Sequence, residues 1–425
     1  MKKYVAILLG VLFVLSFAAS AFAIHAEIPS ETQAVVAKGA TQITIDGEIR
    51  TRGWWKKNVN GNLAPDKADS AANYDERIRL SVDAKVAPGV EGFVQLESGS
   101  GDNDLYTWGN FNSKPTSLSV LQAWILAGFG PGGVKIGHMP LALGEKLFFD
   151  HTKFGDDAIV LFAAPTKGLE MAALTVKFAE GSKTYNNDDL DGYVGLVTYD
   201  MGDHKFGVNY TYLNQSMSRF KHQNIGVHAN GTVAGLGYKA DAEMNLGSVG
   251  DGDSQTDYRG MAFMAALNYK LDPVNIKAGF GYGSGDDKAD KKDKQFENYL
   301  GADQHYTLVY DYSVVTAAVD GNGNHNRYTG LSNTTYVTLG VDVAPMKDLT
   351  ANLDLYMLRA SKTPDGVSKN IGWETDAGVG YQIAKNLKYK FDIGFLFAGD
   401  FYKDSGLSSD KKTAAVVRHA LTLSF

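Results

Sequence analysis

Cysteine is absent from the 425 residues, which excludes disulfides, so the fold has to be held by its backbone ladder and its packing. A basic excess is missing as well. Lysine and arginine number 41 against 48 aspartates and glutamates, a net charge of −7, and a chain without a basic patch is a poor partner for nucleic acid. Beyond residue 23 no apolar run approaches the roughly 20 residues that a membrane helix needs, which excludes a bundle of spanning helices. The nine histidines show no metal spacing such as H-E-x-x-H, and no G-x-S-x-G turn occurs. No reaction, cofactor or resident metal is therefore expected.

What is abundant points to strands. The chain holds 47 glycines, 22 tyrosines and 21 phenylalanines; helices tolerate glycine poorly, and strands favour aromatics. At the start, Lys2 and Lys3 precede an apolar run from Tyr4 to about Phe17 and then Ala21-Phe22-Ala23, the order of an export signal over residues 1–23. An uncleaved anchor is the rival reading. Residues 24–42 have no clear period and read as a periplasmic tail, and residues 43–425 carry the alternation of a barrel.

That alternation is regular. Ile43, Ile45, Gly47 and Ile49 lie against Thr44, Asp46, Glu48, Arg50 and Arg52, ending on Trp54-Trp55, an aromatic pair expected at a membrane interface. Ile78, Leu80, Val82, Ala84 and Val86 lie against Arg77, Arg79, Ser81, Asp83 and Lys85. Leu387, Tyr389, Phe391, Ile393, Phe395 and Phe397 lie against Lys388, Lys390 and Asp392, a face too charged for a sandwich interior and suited to a water-filled lumen. Short turns such as Gly130-Pro131-Gly132-Gly133 and Lys385-Asn386 alternate with long polar links, among them 99–117, 247–258, 285–333 and 400–411. The fold class expected is all-β: a transmembrane antiparallel β-barrel with short periplasmic turns and long outer loops. Eighteen strands can be counted, those at 133–139, 158–164 and 224–230 being the weakest; losing one pair would leave 16.

These features resemble the Gram-negative outer-membrane porins of the large general type. The resemblance rests on the A-x-A signal, the hairpin series, and Leu421, Leu423 and Phe425 in the final strand. It implies that those three residues form the signal read by the barrel-insertion machinery, with His419 departing from the aromatic usual further up. It also implies contact with outer-membrane lipid and lipopolysaccharide, a homotrimer, and passive diffusion of small hydrophilic solutes and ions. A further implication is a loop folded into the lumen with its carboxylates set against basic residues on the wall. The candidate is 140–158, carrying Glu145, Asp150, Asp156 and Asp157, whose Leu141, Leu143, Leu147, Phe148, Phe149 and Phe154 are out of place in a solvated loop; a lipid-facing strand is its alternative.

With the first, second and last strands adjacent, Arg50, Arg52, Arg77, Arg79 and Arg418 fall on one wall, a fixed positive field because guanidinium does not deprotonate. Asp354, Glu374 and Asp376 are the acids expected on opposing walls. The arginines have a second use open to them, pairing with Asp46, Glu48, Asp75 and Asp83 to hold strand register. Other functional readings are a carbohydrate- or anion-selective channel with Trp124 as a stacking track, and a non-transport barrel acting as adhesin or sheath for a periplasmic partner. Asp251, Asp253, Gln255 and Asp257 imitate a calcium loop, but Thr256 and Ala262 stand where glycine and glutamate are required. The Asp320–Asn326 segment fails in the same way, with His325 and Leu331.

Overall fold

A computed structural model describes residues 36–38, 41–59, 70–98, 106–108, 118–182, 184–185, 187–286, 290–301, 306–319, 325–327, 330–408 and 412–425. The expected export signal, most of the tail and most of the Asp320–Asn326 segment lie outside these residues. Eighteen long strands close into a barrel: β1 Thr41–Lys57, β2 Ser70–Ala87, β3 Val90–Ser98, β4 Leu118–Phe129, β5 Gly132–Met139, β6 Asp156–Thr166, β7 Leu169–Ala179, β8 Leu190–Asp200, β9 His204–Gln215, β10 Phe220–Val233, β11 Leu236–Val249, β12 Met261–Leu271, β13 Val274–Gly283, β14 Thr334–Met346, β15 Leu349–Ala360, β16 Asn370–Ala384, β17 Leu387–Ala398 and β18 Thr413–Ser424. Each pairs antiparallel with its sequence neighbours, and β18 returns to β1 through Glu48↔Ser424 to Lys57↔Ala415. Closure leaves no edge. At the seam, the N–H of Gly47 donates to the carbonyl of Phe425 (2.7 Å) and the N–H of Phe425 to that of Gly47 (2.9 Å).

The three weakest strands of the sequence reading are all present. The expected 224–230 is in fact Phe220–Val233, longer at both ends. One end was hidden because Ser216–Arg219 makes a tight turn, with Arg219 at φ 51°, on the side where long loops otherwise occur. The other was hidden because the turn is Ala234-Gly235, at φ 50° and 82°. Two successive left-handed residues are what a two-residue hairpin needs, but asparagine or aspartate is the usual first residue, and alanine gives no such signal. The tail contributes one short strand, Val36–Lys38, paired with Thr41–Ile43.

The period of two divides each strand as the sequence implies. Ile49, Leu80, Ile125, Leu161, Val208, Leu267, Leu339 and Leu355 are exposed around the outside. Aromatics flank this band, with Phe129, Tyr199, Phe206 and Tyr269 towards the turn end and Tyr193, Phe263, Trp373 and Phe397 towards the loop end. Trp54 is a correction to the interface reading: it pairs with Arg418 on the lumen face, with Lys56 Nζ 3.9 Å from its ring centre.

Buried apolar side chains gather inside the barrel, towards the loop end. Two inward loops build this core: residues 140–155 (L3) and the described parts of 284–333 (L7). Leu143, Leu147, Phe148 and Phe149 of L3 pack with Phe296, Leu300, Val309 and Tyr310 of L7 and with Leu213, Leu358, Ile371, Leu396 and Val416 of the wall. Phe149 and Leu300 share a parallel bridge between the loops. Both loops bury their own apolar residues, and L7, read from sequence as an outward polar link, is corrected to a loop whose segment around Val309 and Tyr310 lies inside the barrel while Asp290–Lys292 stay exposed.

Candidate functional site

Register places the five arginines on one side of the lumen. Arg50 is opposite Arg77, Arg52 opposite Asp75, Glu48 opposite Arg79, and Trp54 opposite Arg418. Four of them are engaged by carboxylates. Arg52 Nε and Nη2 donate to Asp75 (2.9–3.1 Å). Arg77 pairs with Glu48, its Nε at 3.0 Å, and Arg79 with Glu97. Arg418 donates to Asp392 at 2.9 Å. Arg50 has no carboxylate partner among the described residues, and its Nε is buried without an acceptor. The two uses open in the sequence are therefore divided: four arginines bind strand to strand, and Arg50 keeps an unshared charge.

Arg50 borders a cavity of about 720 Å³ at the turn end, lined also by Arg52, Lys385, Lys388, Lys390, Asp392 and Arg418. Six cationic side chains thus face one carboxylate. Lys388 and Lys390 belong to this wall by the alternation of β17, a membership the sequence reading did not draw. At the loop end a second cavity, about 770 Å³, is lined by Asp286, Asp290, Asp293, Glu297 and Asp404 against Lys292 and Lys362. Burial pushes the Asp293 carboxyl up, whereas the hydrogen bond from Lys294 holds Asp290 down. The cavity at the turn end is thus basic and the one at the loop end largely acidic.

The acids expected on the inward loop 140–158 have different fates, and two of them, Asp156 and Asp157, are corrected to the start of strand β6 because the loop ends at residue 155. Glu145 crosses to the opposite wall, accepting from Asn230 (2.7 Å) and pairing with Lys239 (3.0 Å). Asp150 stays local, with Lys146 and Thr152. Asp156 bonds His151 and Asp157 bonds His138, each at 2.9 Å. On the expected opposing walls, Asp354 pairs with Lys277 at 2.9 Å. Glu374 accepts the backbone N–H groups of Val309 (2.6 Å) and Tyr310 (2.8 Å), and Asp376 accepts that of Leu308 (3.0 Å). Glu374, 1% exposed, anchors L7 and does not face water. The signal for this was the apolar content of L7 itself, Leu300, Leu308, Val309 and Val314, spread through polar residues.

Trp124 stacks on Phe93 (centroids 5.2 Å, planes 17° apart), and Lys135 Nζ lies 3.7 Å from its ring centre. Both of its faces are covered, which removes the stacking track suggested by the sequence. Among the described residues no group of three or more His, Asp or Glu side chains could hold a metal. In the calcium-like stretch, Asp253 instead meets Lys291 and Asp257 meets Arg259. Leu421, Leu423 and Phe425 alternate on the outer face of β18, Leu421 opposite Thr51 and Tyr389.

No family model matches the chain, and no curated protein matches it in sequence. Its fold is that of solved outer-membrane proteins. It is similar to OccK9 (OpdG) of Pseudomonas aeruginosa, with a TM-score of 0.57 at 12% identity over 90% of this chain and 98% of that one. The outer membrane protein opdK of the same organism gives 0.55 at 10% over 90% and 98%. A BenF-like porin from Pseudomonas fluorescens Pf-5 gives 0.56 at 13% over 90% and 99%.

Proposed function

We propose that this chain is an outer-membrane porin, a β-barrel channel through which small hydrophilic solutes and ions diffuse. One observation carries the reading: the lumen of a closed barrel with an apolar outside holds a chamber of about 720 Å³ lined by six cationic side chains. Barrels of this strand number leave an aqueous interior, and charge rings on the wall set ion preference. The similar structures, a BenF-like porin and an outer membrane protein, support it. The finer parts of the proposal are export through residues 1–23, insertion directed by Leu421, Leu423 and Phe425, contact with lipopolysaccharide, and a homotrimer. No reaction is proposed.

The purified protein is expected to give stepwise conductance in planar bilayers; a silent bilayer with folded protein present would overturn the porin reading. Under a salt gradient, the reversal potential should report anion preference, and Arg50→Gln should move it towards cations. Arg50 is the cleaner test than Arg77 or Arg79, since neutralising Arg77 takes the partner from Glu48 and neutralising Arg79 takes the nearer of Glu97's two. The basic chamber favours a second, narrower reading, a channel selective for anionic solutes, for which concentration-dependent current block by an organic anion is the measurement.

The opposite signs at the two ends predict a further electrical property. Current through singly inserted channels should be larger at one polarity than the other, and the asymmetry should shrink as pH falls, because a carboxyl with a raised pKa, Asp293, loses its charge first while Asp290 keeps it. Linear current–voltage curves at neutral pH would count against it.

A further inference from the structure

Under the tip of L3 lies a patch of barrel wall that the conduction reading does not use. Register sets Asp241 of β11 beside His228 of β10, and Glu243 beside Gly226, with Asn209 of β9 beyond it. Asp241 is 0% exposed and Glu243 3%. Neither carboxylate has a lysine or arginine partner among the described residues, and the next lumen cation on β11, Lys239, is taken by Glu145 of L3 at 3.0 Å. One oxygen of Asp241 accepts the N–H of Glu145 (2.7 Å); among the described residues the only donors close to Glu243 are the neutral amides of Asn209 and Asn224, and both its oxygens and the other oxygen of Asp241 lack a hydrogen bond of good geometry. The same holds for the amide groups of Asn209 and Asn224 and the hydroxyl of Thr211, none more than 1% exposed. The Glu243 carboxylate and the Asn209 amide meet over Gly226, filling the place a methyl would take there; Asp241 and Asn224 adjoin Glu243, and Thr211 stands opposite Asn224 in the ladder.

An ionised carboxylate removed from water without a countercharge is costly by several kcal/mol, and two side by side are worse. The neighbouring imidazole of His228, opposite Asp241, supplies nitrogen but no fixed positive charge. What the patch offers in number is oxygen: two carboxylates, two amide carbonyls and a hydroxyl. Hard cations take such donors, calcium with six to eight of them and in flexible geometry, whereas zinc and copper prefer nitrogen and sulfur. We infer that the wall of β9–β11 beneath L3 is a binding site for a hard divalent cation, with Asp241 and Glu243 as its charged ligands and Asn209, Asn224 and Thr211 completing the oxygen set. Because Asp241 also holds the backbone of Glu145, a cation there ties the tip of L3 to the wall.

The test uses the full-length protein folded in detergent, stripped with a chelator and titrated with calcium chloride. Wild type should bind about one calcium per chain more than the Asp241→Asn, Glu243→Gln double variant. Calcium should raise the melting temperature of the wild type and leave that of the variant unchanged. The difference between proteins is the readout, because outer-loop carboxylates such as Asp253 also attract cations. Glu243→Gln alone keeps the Asp241 bond to L3 and serves if the double variant does not fold. Equal calcium content in wild type and variant, with no calcium-dependent melting shift, overturns the site and leaves a shared proton as the countercharge. The outcome does not depend on conductance, so it stands or falls apart from the porin reading.

Discussion

Glu374→Ala is expected to release L7 from the wall and raise single-channel conductance several-fold. The carboxylate sits 1% exposed and accepts two backbone N–H groups, at 2.6 and 2.8 Å. Removing it leaves both donors buried without acceptors, at about 1–3 kcal/mol each, and every 1.4 kcal/mol is about tenfold in an equilibrium constant. Asp376 still holds Leu308, and the Tyr310 hydroxyl still meets Thr334 at 2.8 Å, so the loop has other holds but loses its tightest. Asp376→Ala, which frees one N–H, should have the smaller effect. Limited proteolysis gives a second readout independent of conduction: cleavage within 284–333 should be fast in Glu374→Ala and slow in wild type. Equal cleavage and equal conductance would refute the anchoring role.

Gly47→Val and Phe425→Ala are expected to reduce the yield of folded barrel strongly, for complementary reasons. The ring of Phe425 lies over Gly47, where a methyl would collide with it, an aromatic covering a glycine across a strand pair. A valine therefore pushes the ring away, and an alanine at 425 uncovers the glycine. Either change loosens the two backbone hydrogen bonds between these residues, together worth about 2 kcal/mol at the pair that completes the barrel. The measurement is the fraction migrating as the compact form on unheated gels. Leu423→Ala, which leaves Gly47 covered, serves as the milder comparison.

Period-two alternation made the strands legible, because a face that must meet lipid and a face that must meet water leave opposite residues at every step. A count of 16 to 18 strands follows from that; the short turns were marked by their Gly, Pro and Asn residues, and the arginine wall needed closure of the last strand on the first as well. Pairing partners did not follow. That Arg79 meets Glu97 while Arg50 meets no carboxylate among the described residues depends on register across three strands, which no local pattern states. The anchoring use of Glu374 was hidden for a related reason: a carboxylate on a lumen face reads the same whether it borders water or caps a loop. L7 was misread because its apolar residues have no period and are diluted among Asp, Asn and Lys. In L3 the density of Leu and Phe within a few residues was enough.

The inward fold of L7 also bears on the order in which the barrel can assemble. Most hairpins here close a connection of a few residues, but β13 and β14 must meet across the 50 residues between Gly283 and Thr334. Chain closure over that length costs about 2 kcal/mol more than over a tight turn. Glu374, on the far side of β15, repays part of this only after β16 is in place. The β13–β14 hairpin thus carries the largest loop-closure cost of the barrel, and part of it is returned by a carboxylate two strands further along the sheet.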